Sequence, residues 1–119
     1  MPDLPVIDPA TIAGLRALDA DNSGAFLTEI IGIFLEDTPQ RLIELDQTLA
    51  AGDMTAFGRA AHTIKGSSSN LGALALRAVA EELEQKVRRH DLEGVAPLVA
   101  TLKAEFERAR VELVKLLPA

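Results

Sequence analysis

The chain has 119 residues, enough for one domain around one core and too few for a catalytic domain joined to a regulator. Hydrophobic residues make up 48% of it with no Cys, Trp or Tyr, which excludes a disulfide framework, a thiol nucleophile and a Cys zinc site. Twelve basic and eighteen acidic side chains leave a net charge of -6, which opposes the attraction to phosphate backbones, so nucleic acid is not an expected partner. No apolar run approaches bilayer length, and the stretch from Met1 to Pro5 lacks the basic start and apolar block of a secretory signal. A cytoplasmic chain with no membrane partner is the expectation.

Residues 1-7 read as a loose lead-in. Asp8 then offers an N-cap with Pro9 at the first helical position, and Ile12, Leu15 and Leu18 share one face of a short helix ending near Ala20. The turn Asp21-Asn22-Ser23-Gly24 supplies caps for a long second helix. Leu27, Ile30, Ile31, Phe34, Leu35, Leu42, Leu45 and Leu49 hold its stripe, and Pro39 is expected to bend or split it. Gly52 and Asp53 read as a helix stop followed by an N-cap. Met54, Phe57, Ala61, Ile64, Ser68 and Leu71 then define a third helix.

After Asn70-Leu71-Gly72, the positions Leu76, Val79, Ala80, Leu83 and Val87 mark a fourth helix. Arg88, Arg89 and His90 crowd its last turn, with His90 expected to cap it. Val95, Leu98, Val99, Leu102, Phe106, Ala109 and Leu113 carry a fifth, running almost to Pro118. No alternating strand pattern occurs and every connection is short. The expected fold is all-α, an antiparallel four-helix bundle with a short additional N-terminal helix, forming a single domain over 1-119. Because the stripes close on one another with no obvious leftover apolar face, a monomer is expected, and the starting Met1 favours a free-standing protein over a segment of a larger kinase.

One residue stands apart chemically. At roughly 100° per residue, His62 lies far around the third helix from Ile64 and Leu71 and is expected to face away from the core. Gly58 and Gly66 flank it one turn before and after, Arg59 and Lys65 lie three residues to either side, and Thr55 and Ser69 fall two turns away. Each mid-helix glycine costs about 0.5–1 kcal/mol relative to alanine. Both lie off the Phe57/Ile64 face, so their expected purpose is open access to His62 rather than core packing. A phosphoryl group on the imidazole would carry roughly two negative charges, which Lys65 and Arg59 could screen.

The run His62-Thr63-Ile64-Lys65-Gly66-Ser67-Ser68-Ser69-Asn70-Leu71-Gly72-Ala73, followed by Leu76 and Leu83-Glu84, closely resembles the histidine-containing phosphotransfer (HPt) domain family. The resemblance implies that His62 is phosphorylated on its outer ring nitrogen and exchanges the phosphoryl group with an aspartate of a response-regulator receiver domain. It also implies a sensor or hybrid histidine kinase upstream, with the Mg²⁺ carried by the receiver and no cofactor on this chain. Lys65 matches the family lysine near the ring and Gly66 the glycine that keeps the approach open. Glu84 matches a position where some members carry a Glu or Gln that hydrogen-bonds the inner ring nitrogen. Its alternative is a solvated helix charge paired with Arg88.

The receiver is expected to dock on Thr55, Gly58, Arg59, Thr63, Gly66, Ser69, Asn70 and Arg88, together with apolar residues that the bundle leaves unburied. No nucleotide loop of the Gly-x-x-x-x-Gly-Lys-Ser/Thr kind is present, so the expectation is a phosphocarrier in a two-component phosphorelay rather than an enzyme. Two rival readings remain at this point. One is a helical interaction module in which His62 is inert. The other is a metal site using His62 with His90 or a carboxylate, for which no ligand pair shows metal spacing and no metal is expected.

Overall fold

The structure, a computed structural model, describes residues 4–21 and 23–118. Part of the proposed lead-in, Met1 to Asp3, and Asn22 of the first turn lie outside the described residues. Five helices follow one another: α1 (Pro9–Arg16), α2 (Ala25–Ala51), α3 (Met54–Asn70), α4 (Leu74–Arg88) and α5 (Val95–Val114). Each of α2 to α5 packs on its neighbour in sequence, and α5 closes back on α2, which makes the four-helix bundle. The small α1 lies against α2 at one end.

Asp8 opens α1 by accepting from Ala10 N at 3.2 Å and from the Thr11 hydroxyl at 2.9 Å, with Pro9 in the first turn. The helix stops at Arg16, short of the expected Ala20. Leu18 is 66% exposed and gives no anchor for another turn, while the Asp19 carboxylate turns to accept from Phe26 N at 3.0 Å at the start of α2. The α1 end of the chain is tied down at the α3–α4 turn. There Asp8 N donates to Gly72 O at 2.8 Å, and a Cβ on Gly72 would fall 2.8 Å from Thr11 Cβ. Gly72 also has φ +71°, so both its conformation and its closeness to α1 require glycine.

Pro39 does not split α2, which runs unbroken for 27 residues. A mid-helix proline costs about 3 kcal/mol. Ile31, Phe34, Leu42 and Leu45 on either side of it are all buried in register, each contributing about 1.5–3 kcal/mol, so packing wins. Gly52, in the left-handed conformation, ends α2, and Asp53 accepts from Ala56 N to begin α3. His90 follows the C-cap Arg89 at φ +55°, taking a place that glycine usually fills after a helix, and its N–H reaches Val87 O.

The core is one cluster drawn from all five helices, with Phe57, Ile64, Leu76, Leu83, Leu102 and Leu113 fully enclosed. Phe34 and Phe106 meet at 5.7 Å between ring centroids, tying α2 to α5. Among the described residues, no helix is long and apolar enough to cross a membrane.

Candidate functional site: the α3–α4 groove

His62 projects from the middle of α3 with 64% of its side chain exposed. Its inner nitrogen does not face solvent. Nδ1 lies 2.6 Å from Oε2 of Glu84 on α4. The other oxygen of that carboxylate, Oε1, accepts from Lys65 Nζ at 2.5 Å, and Arg88 Nη2 stands 3.6 Å from Oε2. Glu84 is therefore not the solvated helix charge of the alternative reading. It is 6% exposed and shared by three cationic or donor side chains from two helices.

Burial pushes the Glu84 carboxyl up, but the hydrogen bonds and charge of Lys65 and His62 more than offset it, leaving the group below the ordinary glutamate value. An ionised carboxylate can only accept, so Nδ1 of His62 carries the proton in the neutral ring. The lone pair is thereby left on the outer nitrogen, Nε2. Any positive charge that develops on the ring sits beside a carboxylate already in place.

Lys65, whose spacing places it beside His62, reaches across to α4. With 21% of its side chain exposed and its ammonium held on Glu84, its charge is neutralised inside the site. Two arginines beside it are less committed. Arg59 pairs with no carboxylate among the described residues, and Arg88, 62% exposed, is held only loosely. Both line the groove around His62, as do Thr55, Gly58, Thr63, Glu84 and Val87. The Thr63 hydroxyl donates to Arg59 O, which commits it to its own helix.

The two glycines serve different ends. A Cβ on Gly66 would meet nothing within 4 Å, so the surface one turn beyond His62 is open, as the access argument requires. Gly58 corrects that argument. A Cβ there would lie 3.3 Å from Val87 Cγ1, so this glycine lets α4 approach α3. The helical wheel places Gly58 beside His62 but does not show that α4 passes over the same strip.

Ser69 and Asn70 are exposed farther along α3 and do not line the His62 groove. Asn70 instead borders a second, mostly apolar groove with Ser67, Leu71, Leu15, Leu18, Phe26, Ile30, Ile33, Phe34 and, at one edge, Asp37. This apolar groove corrects the expectation that no apolar face is left over: Leu18, Phe26 and Ile33 are 66, 39 and 58% exposed. An α1 of eight residues is too short to cover the first half of α2. Ile33 next to the buried Phe34 was the available sign, since one helix stripe cannot bury both adjacent positions equally. No group of three potential metal-ligating side chains comes together among the described residues, and His90 lies outside the His62 groove.

Comparison with known proteins gives this geometry a family. The Hpt domain model matches residues 29–112. Over 102 residues the chain is 24% identical to histidine-containing phosphotransfer protein 2 of Arabidopsis thaliana, covering 83% of this chain and 65% of that protein. Over 96 residues it is 27% identical to multistep phosphorelay regulator 1 of Schizosaccharomyces pombe, covering 81% of this chain and 32% of that protein. The chain thus spans less than two thirds of the length of either relative. Among solved structures, the histidine-containing phosphotransfer protein B of Pseudomonas aeruginosa superposes with a TM-score of 0.85 at 31% identity, over 95% of both chains. A maize histidine-containing phosphotransfer protein shares the fold at a TM-score of 0.78 and 22% identity, over 93% of this chain and 86% of that one. Matched by the family model over more than two thirds of its length, and alike in fold over 95% of it to a solved relative, the chain belongs to the Hpt domain family.

Proposed function

We propose that the chain is a phosphorelay intermediate that carries a phosphoryl group on His62 Nε2 and exchanges it with an aspartate of a receiver domain. The observation that carries the reading is the 2.6 Å contact between His62 Nδ1 and Glu84, which leaves an exposed, nucleophilic Nε2. In the forward step the Nε2 lone pair attacks phosphorus, an N–P bond forms, and the P–O bond to the receiver aspartate breaks, returning that carboxylate. The charge gained by the imidazole is met by Glu84, and that gained by the groove is met by Arg59 and Arg88. The reverse step passes through the same arrangement.

Phosphoryl transfer needs mostly in-line positioning and charge stabilisation, so a helical surface with one well-held histidine suffices when the partner brings the acceptor and its Mg²⁺. The chain then needs no cofactor of its own and acts as a carrier rather than an enzyme. A sensor or hybrid histidine kinase supplies the phosphoryl group. The same reading places the chain in the cytoplasm, where ATP feeds that kinase, as a single domain and a monomer.

The receiver covers the His62 groove and extends along α3 onto the apolar groove. That groove begins at Asn70, eight residues or about 12 Å from His62, well inside the footprint of a protein interface. The test is incubation with a phosphorylated receiver domain carrying labelled phosphate. Acid-labile label is expected on the wild-type chain and none on His62→Gln. Equal labelling of both, or of neither, defeats the proposal.

A further inference from the structure

We infer that Gly58 is a positioning residue for His62: by letting Val87 close against α3, it sets the helix spacing at which Glu84 can hold the inner nitrogen of the ring. The inference rests on the proposed role of His62 for its functional consequence, but its structural content is independent of that role.

Gly58 and His62 are four residues apart on α3, and Glu84 and Val87 are three apart on α4. The two helices are joined by the tight turn at Leu71–Ala73 and run in opposite directions, so one step back from His62 meets one step forward from Glu84. The Gly58–Val87 contact is therefore the rung next to the His62–Glu84 rung. A Cβ at position 58 would stand 3.3 Å from Val87 Cγ1 and 3.9 Å from Val87 Cβ. Carbon atoms prefer about 3.5–4.0 Å, so the first of these contacts is already too close.

Valine cannot turn aside easily, because a β-branched side chain in a helix is confined almost entirely to one χ1 rotamer. The few tenths of an ångström that the contact lacks are then taken up by α4 moving outward. Glu84 lies one turn away on that helix, and its other oxygen is held by Lys65, also from α3, at 2.5 Å. An outward shift draws Glu84 away from both; the long lysine side chain can follow Oε1, whereas the short imidazole cannot follow Oε2, so the bond to Nδ1 lengthens and the ring loses the partner that fixes its tautomer. Helix propensity argues the same way: a glycine in mid-helix is retained against a cost, and here the cost is offset by the close approach. Gly66, on the other side of His62, has nothing within 4 Å of its missing Cβ and performs no such function.

The experiment is a graded series, Gly58→Ala and Gly58→Val, with Gly58→Ala/Val87→Ala as the compensated variant. Each is read by ¹⁵N chemical shifts of the His62 ring in the unphosphorylated protein and by transfer from a labelled receiver. The Nδ1–H signature should weaken from Gly to Ala to Val, with transfer falling by about tenfold to a hundredfold across the series, as expected for a misplaced reacting group. Removing two methyls at Val87 should restore both readouts in the Gly58→Ala background. An unchanged tautomer in Gly58→Val overturns the inference, and so does a Gly58→Ala defect that Val87→Ala does not repair. Transfer lost with the tautomer intact would instead assign Gly58 to receiver access. Because the ring signature is measured without any phosphoryl group, a chain that never accepts label defeats the proposed function and leaves this arm decisive.

Discussion

Lys65 and Glu84 are bound to each other across α3 and α4 at 2.5 Å, and the same carboxylate holds His62 through its second oxygen. This contact predicts that the lysine acts through the glutamate. It cancels the charge that would otherwise make a buried carboxylate costly, and so keeps Glu84 ionised and aimed at Nδ1. A lysine reaching directly for the phosphoryl group would predict additive losses. Acting through Glu84, Lys65→Gln should slow transfer in the wild-type background and add little when Glu84 is already Gln. A double-mutant cycle on the transfer rate reads the difference, and additivity would return Lys65 to the phosphoryl group.

Replacing Glu84 separates its two contributions. Glu84→Gln still offers an oxygen to the Nδ1 proton, so the tautomer survives and only the charge stabilisation of the ring is lost. Glu84→Ala removes both. Hydrogen bonds to charged groups are worth about 1.5–3 kcal/mol, which converts to roughly tenfold to a hundredfold in rate for the alanine variant. The glutamine variant should fall between that and wild type in single-turnover transfer. Equal loss in the two variants would mean that charge alone matters.

The same carboxylate sets an acid limit on stability. Its folded pKa lies below the ordinary glutamate value because Lys65 and His62 outweigh burial. A depressed carboxylate contributes stability that is fully present above the ordinary glutamate value and is lost as pH falls through the lower folded value. Denaturant midpoints measured downward from pH 6 should decline through that window in the wild type. In Glu84→Gln the decline should be shallower. Parallel curves would show that the site does not contribute to the acid transition.

How much of this was legible beforehand differs residue by residue. The exposure of His62, the caps at Asp8 and Asp53 and the five apolar stripes follow from spacing alone, because each depends on one helix and its own period. Glu84 was not fixed by spacing. Periodicity leaves it an ordinary helix charge, and only the resemblance pointed to the ring it holds. The packing of Gly58 against Val87 is hidden for a related reason, since the wheel gives direction around one axis and says nothing about the distance to the next helix. Pro39 shows the converse, a local breaker overruled by side chains on both sides of it that share one core.

Gly66 is expected to behave unlike Gly58. Its missing Cβ faces open space, so Gly66→Gln should leave the fold and the ring tautomer intact, with stability changed by no more than about 0.5–1 kcal/mol and in the stabilising direction. Transfer from a receiver should nevertheless fall steeply, because the added side chain stands where the partner approaches Nε2. Thermal unfolding and label transfer on the same preparation check both halves. Unimpaired transfer would show that the partner does not cover this turn of α3.

The apolar groove offers a test of docking that leaves the chemistry untouched. Ile33 is 58% exposed and borders the groove with Leu18 and Phe26, on a helix that contributes nothing to the His62 contacts. A surface substitution of this kind changes folding stability by about 0.5 kcal/mol or less. If the receiver's apolar side chains seat in the groove, Ile33→Asp buries an unpaired charge at the interface and should weaken binding by at least about 1.4 kcal/mol, a tenfold rise in Kd. Phosphorylation of His62 by a small phosphoramidate donor, which needs no docking surface, should proceed at the wild-type rate in that variant. A receiver that binds Ile33→Asp as tightly as wild type would confine the interface to the polar groove between α3 and α4. A slower reaction with the small donor would mean that the substitution had reached the ring through the fold, in which case the ¹⁵N signature of Nδ1 should shift as well.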